Sequence, residues 1–388
     1  VRHRVSIIYR FLPKYRLDFF CRLKDELAAN GIELELIYGK NQASLKQDEG
    51  DLDWATAVRN REWRVGGSKF CWQPLPKSIH KSDLLVLMQE TKILSNYLVL
   101  AQAAMRGQKV AFWGHGLNFQ AHRGSTANRL KRAYSTRVDW WFAYTHRVAE
   151  ILAGWGFPRK RITVVQNAID TRSLTRAARE LPASAVNDLR NRLGIGKGPV
   201  GLFCGGMYPE KRLGFLLDAC QQIRSQAPTF EVIFIGAGPD RHIVEEFSSR
   251  ESWVHYVGPK FGDARVPYFK LADVFLMPGL VGLAVLDCFA LELPLVTTDY
   301  PYHSPEIDYV ENGRNAIISE NRLDSYVEAV LKVIHSQSVR NRLREGCAEG
   351  AVKYTVERMV ANFIEGVGGA LNLKVTTRPR AISAEVSS

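Results

Sequence analysis

Twice along this chain, short apolar runs alternate with amphipathic stretches, the pattern that builds a parallel sheet from right-handed strand–helix–strand crossovers. The first series contains the runs Val5–Tyr9, Ile32–Tyr38, Leu84–Met88, Val110–Trp113, Trp140–Ala143 and Ile162–Val165. A helix over Leu17 to Asn30 carries Phe19, Phe20, Leu23 and Leu27 on one stripe, and Asn30-Gly31 closes it. A second helix is expected over Lys92 to Arg106. Residues 39–77 break the rhythm; they are polar, mixed and hold Trp54, Trp63 and Trp72, so they read as irregular or short-stranded with tryptophans that pack. The second series runs Val200–Cys204, a helix Arg212–Ser225, Glu231–Ile235, a helix Asp240–Arg250, Val254–Val257, Val274–Met277, a helix from Leu283, and Leu295–Thr298.

Between the two series, residues 171–197 are polar and end in Gly194, Gly196 and Gly198, which puts the domain boundary there. A length of 388 residues also exceeds what one hydrophobic core usually serves. Val356 to Leu371 is helical in period, and residues 373–388 read as a loose tail.

A formal net charge of +12 asks for an anionic partner. The excess shows at Arg10, Lys14, Arg16, Arg22 and Lys24 and again at Arg123, Arg129, Lys131, Arg132 and Arg137. No nucleic-acid module accompanies it, so the expected partners are an acidic membrane face or a phosphorylated substrate, with no nucleic acid. The six cysteines form no CxxC pair and read as buried thiols, with no metal site. No apolar run approaches a bilayer span, and Val1-Arg2-His3-Arg4 leads straight into a strand. A cytoplasmic protein is expected, peripheral on the inner membrane face.

Chemistry concentrates in three glycine-rich turns of the second series, each after a strand and before a helix, where open parallel sheets hold ligands. In the first, Gly205-Gly206-Met-Tyr-Pro-Glu-Lys211-Arg212, backbone can approach a diphosphate and Lys211 can neutralise it; a solvated loop is the plain alternative. The second, Gly236-Ala-Gly238-Pro, lacks the third glycine of a dinucleotide fingerprint. The third, Pro278-Gly279-Leu-Val-Gly282, opens a helix at Leu283 whose amides suit phosphate. Asp287 interrupts the apolar run Leu283 to Leu291, so its carboxylate needs partners: ribose hydroxyls, or a structural bond to a neighbouring loop.

The order of these pieces resembles the retaining glycosyltransferases of family 4, of the bacterial surface-polysaccharide type, over nearly the whole chain. Asn167-Ala-Ile-Asp170 is similar to the family's Asn-Gly-Ile-Asp, and Gly205 to Lys211 to its Gly-Arg-x-x-x-x-Lys turn. Gly279 and Asp287 keep the spacing of its Glu-x7-Glu signature with altered chemistry. Two departures stand out: Gly206 replaces the family arginine and Gly279 the first glutamate.

The resemblance implies an α/β GT-B fold, with two Rossmann-like doubly wound domains facing a central cleft. The first domain is 1–180, the nucleotide-sugar domain 198–350, and 351–372 a C-terminal helix packing back on the first. It implies a retaining hexosyltransferase that takes a nucleoside-diphosphate sugar and a saccharide or polyprenyl-diphosphate-linked acceptor, with no cofactor. Lys211 is assigned to the pyrophosphate, with Gly205, Gly206, Gly279, Gly282 and Leu283 lining the donor and Asp287 on the ribose, one methylene short. Arg212 replaces the missing cation, and Glu306, in the loop from His303, the missing carboxylate. His115, in Trp113-Gly-His-Gly116, meets the donor sugar or the reacting hydroxyl, a structural histidine being the alternative, and Pro13 to Arg16 resembles the acceptor-side loop. The rival readings are a sugar-nucleotide epimerase and a catalytically silent nucleotide-binding partner; a nicotinamide oxidoreductase fits less well.

Overall fold

The computed structural model describes residues 3–40, 50–116 and 132–377. Arg123, Arg129, Lys131 and the end of the tail, 378–388, lie outside the described residues. The chain divides into two compact units: Val1–Asp170 with Thr355–Ser388, and Thr171–Tyr354.

The first unit holds β1 (His3–Tyr9), β2 (Ile32–Lys40), β3 (Thr56–Arg59), β4 (Arg61–Val65), β5 (Ser68–Trp72), β6 (Leu84–Met88), β7 (Lys109–Gly114), β8 (Trp140–Ala143) and β9 (Ile162–Val164). Seven form one parallel sheet in the order β3-β2-β1-β6-β7-β8-β9. The central strands β1, β6, β7 and β8 are mostly buried and apolar, as strands covered on both faces must be, while the edge strand β3 is largely exposed. β4 and β5 make a separate antiparallel hairpin through Gly66-Gly67, both at positive φ, the two-residue turn whose twist suits paired strands. The irregular stretch read from 39 to 77 therefore contains this hairpin and β3.

The last helix, Val356–Leu371, packs in the first unit. Phe363 stacks on Phe142 with centroids 4.2 Å apart and meets Trp113 edge-on at 5.1 Å. A buried cation ties this helix to both the first turn and the Asn167 segment. Arg16 Nη1 donates to the Ala168 carbonyl (3.1 Å) and Met359 Sδ (3.3 Å), and Nη2 to Asn167 Oδ1.

The second unit holds β10 (Val200–Cys204), β11 (Glu231–Ile235), β12 (Val254–Tyr256), β13 (Val274–Leu276), β14 (Leu295–Thr298) and β15 (Ala316–Ser319). Their order, β12-β11-β10-β13-β14-β15, is parallel throughout and reverses direction between β10 and β13. In open α/β sheets that reversal leaves a crevice at the carboxyl ends of the two strands, where ligands sit.

The polar stretch 171–197 is not a bare connection. It forms helices Arg172–Glu180 and Ala183–Leu193, both in the second unit, each burying a single leucine, Leu174 or Leu189. So narrow an apolar stripe gives little periodic signal. β15 and the helices Leu323–His335 and Gln337–Lys353 complete the unit. No helix of the described residues is long and apolar enough to cross a membrane.

Candidate functional site

Seven of the ten sequence-predicted site residues lie on the two loops that leave β10 and β13, the strands flanking the reversal; Asp287 is on the helix that the second loop enters, and Glu306 follows the adjacent β14. The loop after β10 is held from behind by the loop after β11. A Cβ on Gly236 would lie 1.9 Å from the Gly205 carbonyl oxygen, and one on Gly238 2.1 Å from that of Met207. Met207 N–H donates to the Ala237 carbonyl at 2.9 Å, and Asp240 N–H to that of Met207 at 3.0 Å. The pair that imitates a dinucleotide fingerprint is thus filled by the protein's own backbone.

The β10 loop continues into a short turn, Pro209–Lys211, with Pro209 at its first position, and Arg212 at φ +57° swings the chain into helix Leu213–Gln226. Lys211 is only 4% exposed. Its Nζ donates to the Leu280 carbonyl at 2.5 Å and reaches Val281 O at 3.5 Å. Burial pushes its pKa down to about 8, against the pull of the Glu306 carboxylate. Glu306 is itself buried, on the turn Pro305–Tyr309 that follows β14.

Gly279 shows why the β13 loop lacks a side chain at that point. A Cβ there would sit 2.2 Å from the Glu210 carbonyl oxygen and 2.9 Å from Lys211 C. The Lys211 turn occupies the space, and Leu280 N–H bonds to that same Glu210 oxygen at 2.9 Å. A glutamate at 279 is excluded by backbone. At Gly206 the obstacle is softer: a Cβ would meet the Tyr208 ring at 2.8 Å.

His303 fastens the loop from the other side. Nε2 donates to the Thr298 carbonyl at 2.8 Å, and Nδ1 accepts from Val281 N–H at 3.3 Å. That pair of bonds needs the neutral imidazole, and burial lowers its pKa in the same sense. Gly282 (φ +62°) then turns the chain into helix Ala284–Ala290, with Leu283 at its cap and Asp287 in its first turn. Next to Gly282, the Ser304 hydroxyl oxygen is buried with no hydrogen-bond partner among the described residues. Such a group normally has a partner.

Asp287 is buried and bonded to Arg265, from the turn Gly262–Arg265 that follows β12, at 2.5 Å (Nη1 to Oδ2) and 3.4 Å (Nη2 to Oδ1). Burial raises the acid's pKa and Arg265 draws it back down. Sequence reasoning missed Arg265. The only signal for it was the acid itself, which in an apolar helix demands a cation from elsewhere in the fold. Arg212 is engaged within its own surroundings. Its Nη1 donates to Asn321 Oδ1 (2.5 Å) and Pro278 O (3.3 Å), and its guanidinium lies 4.0 Å from the Phe215 ring centroid.

His115 is in the first unit, exposed at the end of β7, its ring 4.6 Å from that of Tyr144. At the end of β9 the structure places Asn167 buried against Arg16, and Asp170, whose pKa rises to about 6 through burial and the nearby Asp18.

Two family models match the chain, one described as Glycosyltransferase Family 4 over residues 19–173 and one as Glycosyl transferases group 1 over residues 198–336. Among curated proteins, the chain is 23% identical over 236 residues to WcaL of Salmonella typhimurium, named as a colanic acid biosynthesis glycosyltransferase, covering 56% of this chain and 54% of WcaL. It is 22% identical over 202 residues to alpha-monoglucosyldiacylglycerol synthase of Acholeplasma laidlawii, covering 50% and 49%. The chain thus spans about half the length of the curated relatives it matches. The crystal structure of Anabaena HepE in complex with UDP superposes with a TM-score of 0.67 over 94% of this chain and 99% of that one, at 13% identity, a likeness of fold.

Proposed function

We propose that the chain is a GT-B glycosyltransferase that moves a sugar from a nucleoside-diphosphate donor to an acceptor hydroxyl, with the donor bound on its second unit, a reading supported by the two glycosyltransferase family models that match residues 19–173 and 198–336. One observation carries the reading. Lys211, a cation buried at the strand-order reversal, is held by backbone carbonyls of the loop after β13. A cation kept there out of water is suited to a ligand that brings its own negative charge.

The donor diphosphate lies against Lys211 and the amides from Gly282 to Ala284, with Gly205 and Gly206 close to it and the Ser304 hydroxyl, which has no partner among the described residues, at hand. As the bond to the sugar breaks, charge grows on the leaving phosphate, and donors already in place stabilise it without reorganising. Asp287 takes the ribose hydroxyls, and Glu306 the sugar hydroxyls in place of a carboxylate that Gly279 cannot carry. Transfer occurs with retention, the departing phosphate accepting the acceptor proton on the same face. The acceptor is a saccharide or a polyprenyl-diphosphate-linked saccharide presented at an acidic membrane face, to which the charge of +12 is suited. The names of the colanic acid and glucolipid relatives agree with acceptors of that kind.

Gly206 and Gly279 favour one other reading, a silent nucleotide-binding partner. A thermal-shift screen of nucleoside diphosphates and their sugars tests binding, since a ligand at 100 times its Kd adds about 2.7 kcal/mol. Product analysis with and without acceptor then separates the readings. Transfer with the anomeric configuration kept supports the proposal; binding with neither transfer nor hydrolysis supports the silent partner; no binding removes both.

A further inference from the structure

Every residue from Val285 to Ala290 is buried, and Asp287 is the one acid among them. A carboxylate brought out of water takes up a proton unless a cation or several donors hold it. The cation comes from another element: both terminal nitrogens of Arg265 face the two carboxylate oxygens, at 2.5 and 3.4 Å. Arg265 is aimed by its own turn, with Nε donating to the Gly262 carbonyl at 3.4 Å. The guanidinium is thus tied to its own turn through Nε and to both oxygens of the acid through Nη1 and Nη2, with the Cys204 thiol a further hydrogen-bond partner.

An ionised carboxylate offers about four acceptor positions, and Arg265 takes two. The remaining two match a pair of adjacent hydroxyls. We propose that Arg265 is a positioning residue of the donor site, holding the Asp287 carboxylate charged and in one plane so that it accepts from both hydroxyls of the nucleotide ribose. The proposal rests on the reading of the second unit as a nucleoside-diphosphate site. It also accounts for an aspartate at this place. A side chain one methylene shorter than glutamate has less reach and fewer rotamers, and the two-armed guanidinium sets its orientation.

The test is calorimetric titration of the full chain with UDP and with 2′,3′-dideoxy-UDP, or the corresponding GDP or ADP pair where the wild type prefers that base. The wild type should favour the ribonucleotide by roughly 10- to 100-fold, the scale of hydrogen bonds to a charged acceptor. Arg265→Met should bring that preference within about threefold, Asp287→Asn should do the same, and the double variant should lose no more than either alone. Arg265→Lys, which keeps the charge but not the second arm, should lie between; it decides the question alone if Arg265→Met does not fold. Equal weakening of both ligands by Arg265→Met, or an unchanged preference in Arg265→Lys, would make the arginine merely structural and overturn the proposal. Equal binding of both ligands by the wild type would remove the ribose contact while leaving the donor site standing. A wild type that binds no nucleoside diphosphate overturns both.

Discussion

The ammonium of Lys211 lies 2.5 Å from the carbonyl oxygen of Leu280, so the loops after β10 and β13 are joined by a buried cation across the point where the strand order reverses. The same two loops meet again through Leu280 N–H and the Glu210 carbonyl at 2.9 Å. Removing either loop's contribution disturbs both the cation and the backbone that surrounds it.

Lys211→Ala should lower kcat by roughly 100-fold or more, the scale for deleting one charge-stabilising donor. Steady-state transfer kinetics read this directly, and an unchanged kcat would take Lys211 out of the mechanism.

The depressed pKa of Lys211 gives nucleotide binding a pH signature. Below about 8 the empty protein already holds the proton; above it, binding a diphosphate must restore one. Affinity should therefore fall as pH rises through about 8, with proton uptake visible as a buffer-dependent calorimetric enthalpy. Lys211→Met should abolish that dependence.

Gly279→Ala places a methyl 2.2 Å from the Glu210 oxygen. The cost of such overpacking is about 1–3 kcal/mol, and a scanning-calorimetry midpoint should drop by several degrees. Gly279→Glu should do at least as much harm and bring no gain in activity, although it restores the family's residue. A stable, more active Gly279→Glu would contradict the steric account.

His303 contributes to stability in its neutral form. Its folded pKa is below the ordinary 6.5 because it is buried, so the stability it confers is fully present above about 6.5 and is lost as pH falls, the unfolded chain taking up the proton first. Urea unfolding of the wild type should weaken between about pH 7 and pH 5, more steeply than that of His303→Asn. Parallel slopes would remove His303 as the source.

The strands that bury both faces were legible because such strands are continuous apolar runs, and those from Val5, Leu84, Val200, Glu231 and Leu295 stand where the runs do. The glycine-rich turns stood out for the same local reason. What escaped was non-local. Helices Arg172–Glu180 and Ala183–Leu193 each hide behind a single buried leucine, and β15 is a four-residue strand with only partial burial. Gly279 read as a missing carboxylate; only the path of residues 210 and 211 shows it as a position where backbone needs the room. Arg265 carries no local mark, since its partner is 22 residues away.

The second unit is one uninterrupted stretch of chain, whereas the first is assembled from both ends of it. During synthesis, residues 171–354 can therefore collapse around their own core while the earlier segment still waits for Val356–Leu371, whose Phe363 covers Phe142 and Trp113. Of the two units, the one that leads in the sequence is completed only when its last helix arrives.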